Sequence, residues 1–334
     1  MKNIKKLPFI LSIISLFTIF SPANADIKVV ASIKPIHSLA SYLMDGVGKP
    51  DLIVDGYASP HGFAMKPSHA KMLQNADLIF WVGEDLENFL EKPLKSIAKK
   101  AEKIELMETK GLKKLKFRER NIFEEHGHDE HKEHGHKEDK HDDHKHNEHK
   151  EHGHKEDKHD DHHGHAHGEH DPHIWLDPIN AKAILSEMAE HLIEKDPNNA
   201  STYKANLKKA HKALDNLTKK IKSEFKKDFK SIVFHDAYQY FEKRFDVNVL
   251  GAFTVNTDVL PGAEQLAEIR EIIEHENVTC VFSEPQFNPD IIKAVAKDTN
   301  IKTGVIDPLG ATLNPGKTLY FDLISNMSKS FKGC

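Results

Sequence analysis

Apolar positions recur along the chain in two alternating rhythms. Short apolar runs cover residues 27–33, 51–55, 77–82 and 103–107, and again 231–235, 247–253, 278–283 and 302–306. Stretches with helical spacing lie near 35–44, 86–100, 238–245, 263–276 and 289–299; Pro67-Ser68 opens another helix, and a last one covers 319–331. Strand and helix in alternation is the signature of βα units and parallel sheets. A further helix is expected over 178–195, with Asp177 as N-cap and Pro178 at the first helical position. The longest periodic stripe follows: Tyr203, Leu207, Ala210, Leu214, Leu217, Ile221 and Phe225 repeat every three or four residues on a Lys-rich segment. A helix of some 26 residues spans about 39 Å, longer than a typical βα helix. It either runs along both halves of a two-lobed molecule or lies on the periphery. Four strands on each side of it predict an α/β fold of two lobes, each a four-stranded parallel sheet flanked by helices.

Two stretches break the rhythm. Lys2, Lys5 and Lys6 precede an apolar run from Leu7 to Phe20, and Ala23-Asn-Ala25 before Asp26 has the small-x-small form of a signal-peptidase site. The run is short of the roughly 20 residues that span a bilayer, so a cleaved export signal is expected rather than an anchor. With no cysteine at the cleavage site, the mature protein is expected to be soluble in the periplasm, starting at Asp26.

The second break runs from Glu124 to His170. It contains seventeen histidines, sixteen Asp or Glu and seven Lys, and Ala166 is its one apolar side chain. A segment with so little apolar surface does not offset its ordering entropy and is expected to be disordered. Residues 132–144, KEHGHKEDKHDDH, recur unchanged at 150–162. A repeat so short, with no apolar face to stack, multiplies a chemical function rather than a fold. An ordinary Glu/Lys run would be read as a solvated linker. Here the histidines turn the reading to metal capture, because imidazole is the commonest protein ligand for zinc and also suits copper and nickel. The candidate ligands are His126, His128, His131, His134, His136, His141, His144, His146, His149, His152, His154, His159, His162, His163, His165, His167 and His170.

This brush also explains the charge. Its lysines and carboxylates together carry −9 and the leader +3, so of the formal −5 the folded body keeps about +1. No basic patch argues for nucleic acid. Cys280 and Cys334 are the two cysteines. In an export compartment they either bridge, tying the tail to the core, or stay as two free thiols.

Open parallel sheets bind ligands beyond the carboxyl ends of their strands. That rule selects His61 after the second strand, His173 in the excursion after the fourth, His235 ending SIVFH and Asp307 ending TGVID. Ile174 and Trp175 should anchor His173 to a folded wall. Three histidines and a carboxylate suit zinc, whereas a carboxylate-dominated site would suit manganese. His37, His69, His191, His211 and His275 are read as hydrogen-bonded or surface residues. A zinc hydrolase is the rival from another class, but no Glu stands at a His-Glu-x-x-His spacing and no nucleophile elbow occurs.

At these motifs the chain resembles a known family. ASPHGFAMKPS at 58–68, HIWLDP at 173–178, FHDAYQYF at 234–241, FSEPQF at 282–287 and DPLG at 307–310 are similar to the ZnuA-like periplasmic zinc-binding receptors of bacterial ABC importers, within the cluster A-I solute-binding proteins. The resemblance covers essentially the whole mature chain, including the histidine-rich insertion and the cysteine pair, and so implies a Cys280–Cys334 disulfide. It also implies two lobes joined by one long helix: an N-terminal lobe over 26–200 carrying the insertion at 124–170, a linking helix over 201–227 and a C-terminal lobe over 228–334. His61, His173 and His235 fall on the family's metal histidines, and His235 stands where manganese-binding relatives have Glu. Some zinc receptors carry an acidic residue just before the first histidine, where this chain has Pro60. The fourth ligand is then Asp307, a water or a brush imidazole, with Asp307 favoured. The implied role is a monomeric, non-enzymatic receptor that delivers Zn²⁺ to a membrane permease with its cytoplasmic ATPase.

Overall fold

The computed structural model describes residues 27–118, 121–122, 168–225, 230–255, 257, 261–297 and 299–334. The export signal and all the brush but residues 168–170 lie outside these. Among the described residues, no helix is long and apolar enough to cross a membrane.

The first sheet is built from β1 (Val29–Ile33), β2 (Asp51–Val54), β3 (Leu78–Trp81) and β4 (Glu102–Glu105), in the order β2-β1-β3-β4 with every pairing parallel. The second uses β5 (Lys230–His235), β6 (Asn248–Thr254), β7 (Cys280–Ser283) and β8 (Lys302–Val305), in the equivalent order β6-β5-β7-β8, again parallel. Parallel neighbours need crossover helices. These are α1 (Lys34–Leu43), α2 (Pro67–Asn75) and α3 (Asn88–Ser96) in the first lobe, and α6 (Gln239–Phe245), α7 (Ala263–His275) and α8 (Asp290–Ala296) in the second. Between the lobes in sequence come α4 (Pro178–Lys195) and α5 (Ala200–Lys222); α9 (Leu319–Gly333) closes the chain. The expected α/β two-lobe architecture is the one observed.

Several elements are shorter than their apolar runs, and two of the differences have identifiable reasons. The fourth strand ends at Glu105 because Leu106–Glu108 tighten into a 3₁₀ turn. The long helix ends at Lys222, yet Phe225 beyond it still packs on Phe241 and Phe245, so the apolar spacing outlasts the helix. With 23 residues, α5 spans about 35 Å and packs against α1, α4 and α9. Asp177 caps α4 as expected, its Oδ1 accepting from the Ile179 amide at 2.8 Å.

One apolar core runs through both lobes. It joins both faces of the first sheet to α4, α5, α9 and the inner residues Val233, Ala252, Cys280 and Phe282 of the second. Alternate residues on those strands, Ile232, Phe234, Leu250, Phe253 and Val281, face the other way into a smaller core under α7 and α8. Cys280 and Cys334 are disulfide-bonded with Cα atoms 5.7 Å apart, fastening the end of the chain to β7. Closing a loop of 54 residues is worth about 4 kcal/mol in the chain-entropy picture.

The stems of the insertion touch both lobes. Lys116 and His170 form an antiparallel bridge, and the Asp171 amide donates to the Leu115 carbonyl at 2.8 Å. Further along, Ile122 pairs antiparallel with Gly251 on the edge of the second sheet. Glycine is needed there, because a Cβ would come within 2.6 Å of the Asn121 carbonyl oxygen.

Candidate metal centre

His173 follows the insertion and precedes the 3₁₀ turn Ile174–Leu176, whose three side chains are fully buried. Asp171 Oδ1 accepts both the His173 amide at 2.9 Å and its ring Nδ1–H at 2.7 Å. The segment is also tied to α6: Tyr240 donates its hydroxyl to the Asp171 carbonyl at 2.7 Å, and Arg244 makes two 2.6 Å bonds to Asp177. Trp175 lies beside the imidazole, ring centroids 5.3 Å apart, and donates its indole N–H to the Pro308 carbonyl.

His235 is the last residue of β5. Its Nδ1–H is held at 2.7 Å by Glu284 Oε1, just past the end of the neighbouring strand β7. Both carboxylates are shielded from solvent. A carboxylate bound to Nδ1 fixes the tautomer that leaves the Nε2 lone pair free for a metal. The two Nε2 atoms face each other at 3.3 Å. Two zinc–nitrogen bonds of 2.0–2.1 Å at a tetrahedral angle put their nitrogens about 3.4 Å apart. The spacing is thus that of two ligands on one ion.

His61 completes the group from the loop between β2 and α2. Its ring centroid lies 5.6 Å from that of His173 and 5.8 Å from that of His235. One ligand nitrogen from each of the three lies within 4.8 Å of the others. Pro60, Trp175, Phe287, Pro308 and Leu309 line much of the rest of the pocket, with Ser59, Glu284 and Gln286 as its other polar members, and this largely apolar surround strengthens electrostatic attraction to a cation.

The structure does not bring Asp307 into this group. It follows β8 as expected, but its Oδ1 accepts from the amides of Leu309 and Gly310 and from Gln286 Nε2, shaping the turn that places Pro308 and Leu309 on the pocket. Its Oδ2 makes no hydrogen bond. Of the brush histidines, His170 lies in the stem bridge and the other sixteen lie outside the described residues. Of those read as structural, His37 bonds the Pro50 carbonyl, His69 takes the Lys66 amide at the start of α2, and His211 bonds the Lys182 carbonyl. Glu102, His191 and Glu194 also cluster, but on the surface, where Lys195 and His191 already pair with Glu102.

Asp171 and Glu284 were not singled out in the sequence. Asp171 stands two residues before a selected histidine, and Glu284 lies in the FSEPQF motif with no role assigned. Only the β5–β7 pairing brings Glu284 to His235.

Residues 29–334 match the family described as "ZnuA: Zinc-uptake complex component A periplasmic". The chain is 45% identical over 336 residues to the "High-affinity zinc uptake system protein ZnuA" of Brucella abortus, covering 100% of this chain and 99% of the relative. It is 37% identical over 320 residues to the protein of the same name from Yersinia pestis, covering 94% and 93%. A solved structure described as "Crystal structure of ZnuA" superposes with a TM-score of 0.69 at 20% identity, over 92% of this chain and 100% of that one, a likeness of fold. The relatives are named as uptake proteins, so the family is one of transport receptors rather than enzymes. By sequence over nearly its whole length, this chain belongs to the family of periplasmic zinc-uptake component A.

Proposed function

We propose that the protein captures Zn²⁺ in the periplasm at His61, His173 and His235 and delivers it to the permease of an ABC importer driven by a cytoplasmic ATPase. The observation that carries this reading is the pair of carboxylate-braced imidazoles with Nε2 atoms 3.3 Å apart, closed by a third imidazole from a loop. The proposed fourth donor is Asp307, whose unbonded Oδ2 stands outside the histidine group and would have to turn toward the ion, with a water or a brush imidazole as the alternatives. The brush histidines gather zinc ahead of the cleft or sense its supply. Export follows cleavage between Ala25 and Asp26, and the receptor works as a monomer. Imidazoles bind metal only when deprotonated, so affinity falls as acid protonates them.

Zinc titrated into the mature protein is expected to show one tight ion, lost on His61→Ala or His235→Ala, and weaker ions lost when the brush is removed. A tight ion that disappeared with the brush, while the three histidines stayed intact, would overturn the assignment.

A further inference from the structure

Lys34 opens α1 at the carboxyl end of β1, and its side chain is only 5% exposed. A lysine so buried needs partners for all three ammonium hydrogens. It finds them across the cleft: Nζ donates to the carbonyls of Gly310, Ala311 and Leu313 at 3.3, 2.9 and 3.0 Å. Gly310 sits at φ +71°, a left-handed turn within the segment that offers these acceptors. On the near side, Asp55 Oδ1 lies 3.3 Å from the same nitrogen.

Both partners lead to the metal pocket. Asp55 follows β2 and begins the loop that carries His61. The carbonyl segment continues from Pro308 and Leu309, which line the pocket, and Trp175 grips its other end through the Pro308 carbonyl. One ammonium thus fastens the His61 loop of the first lobe to the pocket-lining turn of the second. Parting the lobes would strip three carbonyls of their donor and the ammonium of its acceptors.

Building on the zinc-receptor reading, we propose that Lys34 is a positioning residue, a latch across the cleft that slows zinc release without touching the ion. The carbonyl cage recognises a cation rather than a lysine as such, so a small alkylammonium is expected to substitute once the side chain is cut back.

The test is zinc release from the mature protein into a fluorescent chelator, followed by stopped flow, for wild type, Lys34→Met and Lys34→Ala, with thermal unfolding of the metal-free forms alongside. Lys34→Met keeps the length of the stem and removes the charge. It is expected to release zinc about tenfold faster or more, as loss of several charge-assisted hydrogen bonds implies. Methylammonium is expected to slow release from Lys34→Ala and leave wild type unchanged. Release at the wild-type rate from both variants overturns the latch, and so does faster release that ignores methylammonium, which marks general loosening. A wild-type protein that holds no tight zinc would instead defeat the zinc-receptor reading on which the latch rests.

Discussion

His173 and His235 come from opposite lobes yet share one construction, while His61 is held differently. Each of the first two is nearly buried, with its Nδ1–H on a buried carboxylate. The segment carrying His173 is further bound to the second lobe, Tyr240 donating to the Asp171 carbonyl and Arg244 to the Asp177 carboxylate, so the two imidazoles form a single wall. His61 is partly exposed, on the loop between β2 and α2, where its amide donates to Ser59 Oγ at 3.3 Å. On the proposed zinc-receptor reading the contrast would assign roles: the wall would preset two coordination positions, and the loop would deliver the third and be the side from which the ion exchanges. A core continuous through both lobes resists wide hinge opening, which fits exchange by small rotations and loop movement.

The largest expected effects come from the wall itself. His173→Ala or His235→Ala should abolish the tight ion in calorimetric titration, because a pair of preset nitrogens is reduced to one. Next come the braces. Asp171→Asn and Glu284→Gln are expected to weaken zinc by about 10–100-fold, the usual cost of losing a partner that orients a metal-bound histidine. Ser59→Ala, the corresponding change beside His61, should do far less. If it matched the brace variants in the same titration, the wall-and-loop distinction would fail.

A smaller effect separates site from scaffold. Glu87, wholly buried under the first lobe's strand ends, accepts from the amides of Val82 and Gly83 and from Ser32. Burial pushes its carboxyl up to about 7, with those hydrogen bonds pulling the other way. The folded protein then holds a proton that the unfolded chain has released, so this contribution is full below about 4.5 and lost as pH rises through about 7. Glu87→Gln should flatten the decline of stability over that window by up to ~3 kcal/mol, read by urea unfolding across pH, and leave zinc affinity at neutral pH unchanged. The smallest effect is expected from deleting residues 123–167, which should remove weak ions and leave the tight one in place.

Much of this was legible in the chain. Strand positions, the Asp177 cap and the three histidines followed from apolar runs, a proline after an Asp, and the rule that ligands gather beyond strand ends. The braces were not, because a lone acid near a histidine has no period to mark it and the reach from Glu284 to His235 depends on which strands pair. Lys34 was invisible for a related reason: a lysine at a helix start reads as solvated until the opposite lobe supplies its carbonyls. Asp307 shows the converse, since its place after β8 was right but the turn that follows claims one of its oxygens.

The most direct test is a crystal structure of the zinc-loaded protein, with data collected on both sides of the zinc absorption edge. The account predicts one strong anomalous peak in the cleft, about 2.0–2.1 Å from a nitrogen of each of His61, His173 and His235. A cleft without a peak, or an ion bound without two of these imidazoles, would contradict it.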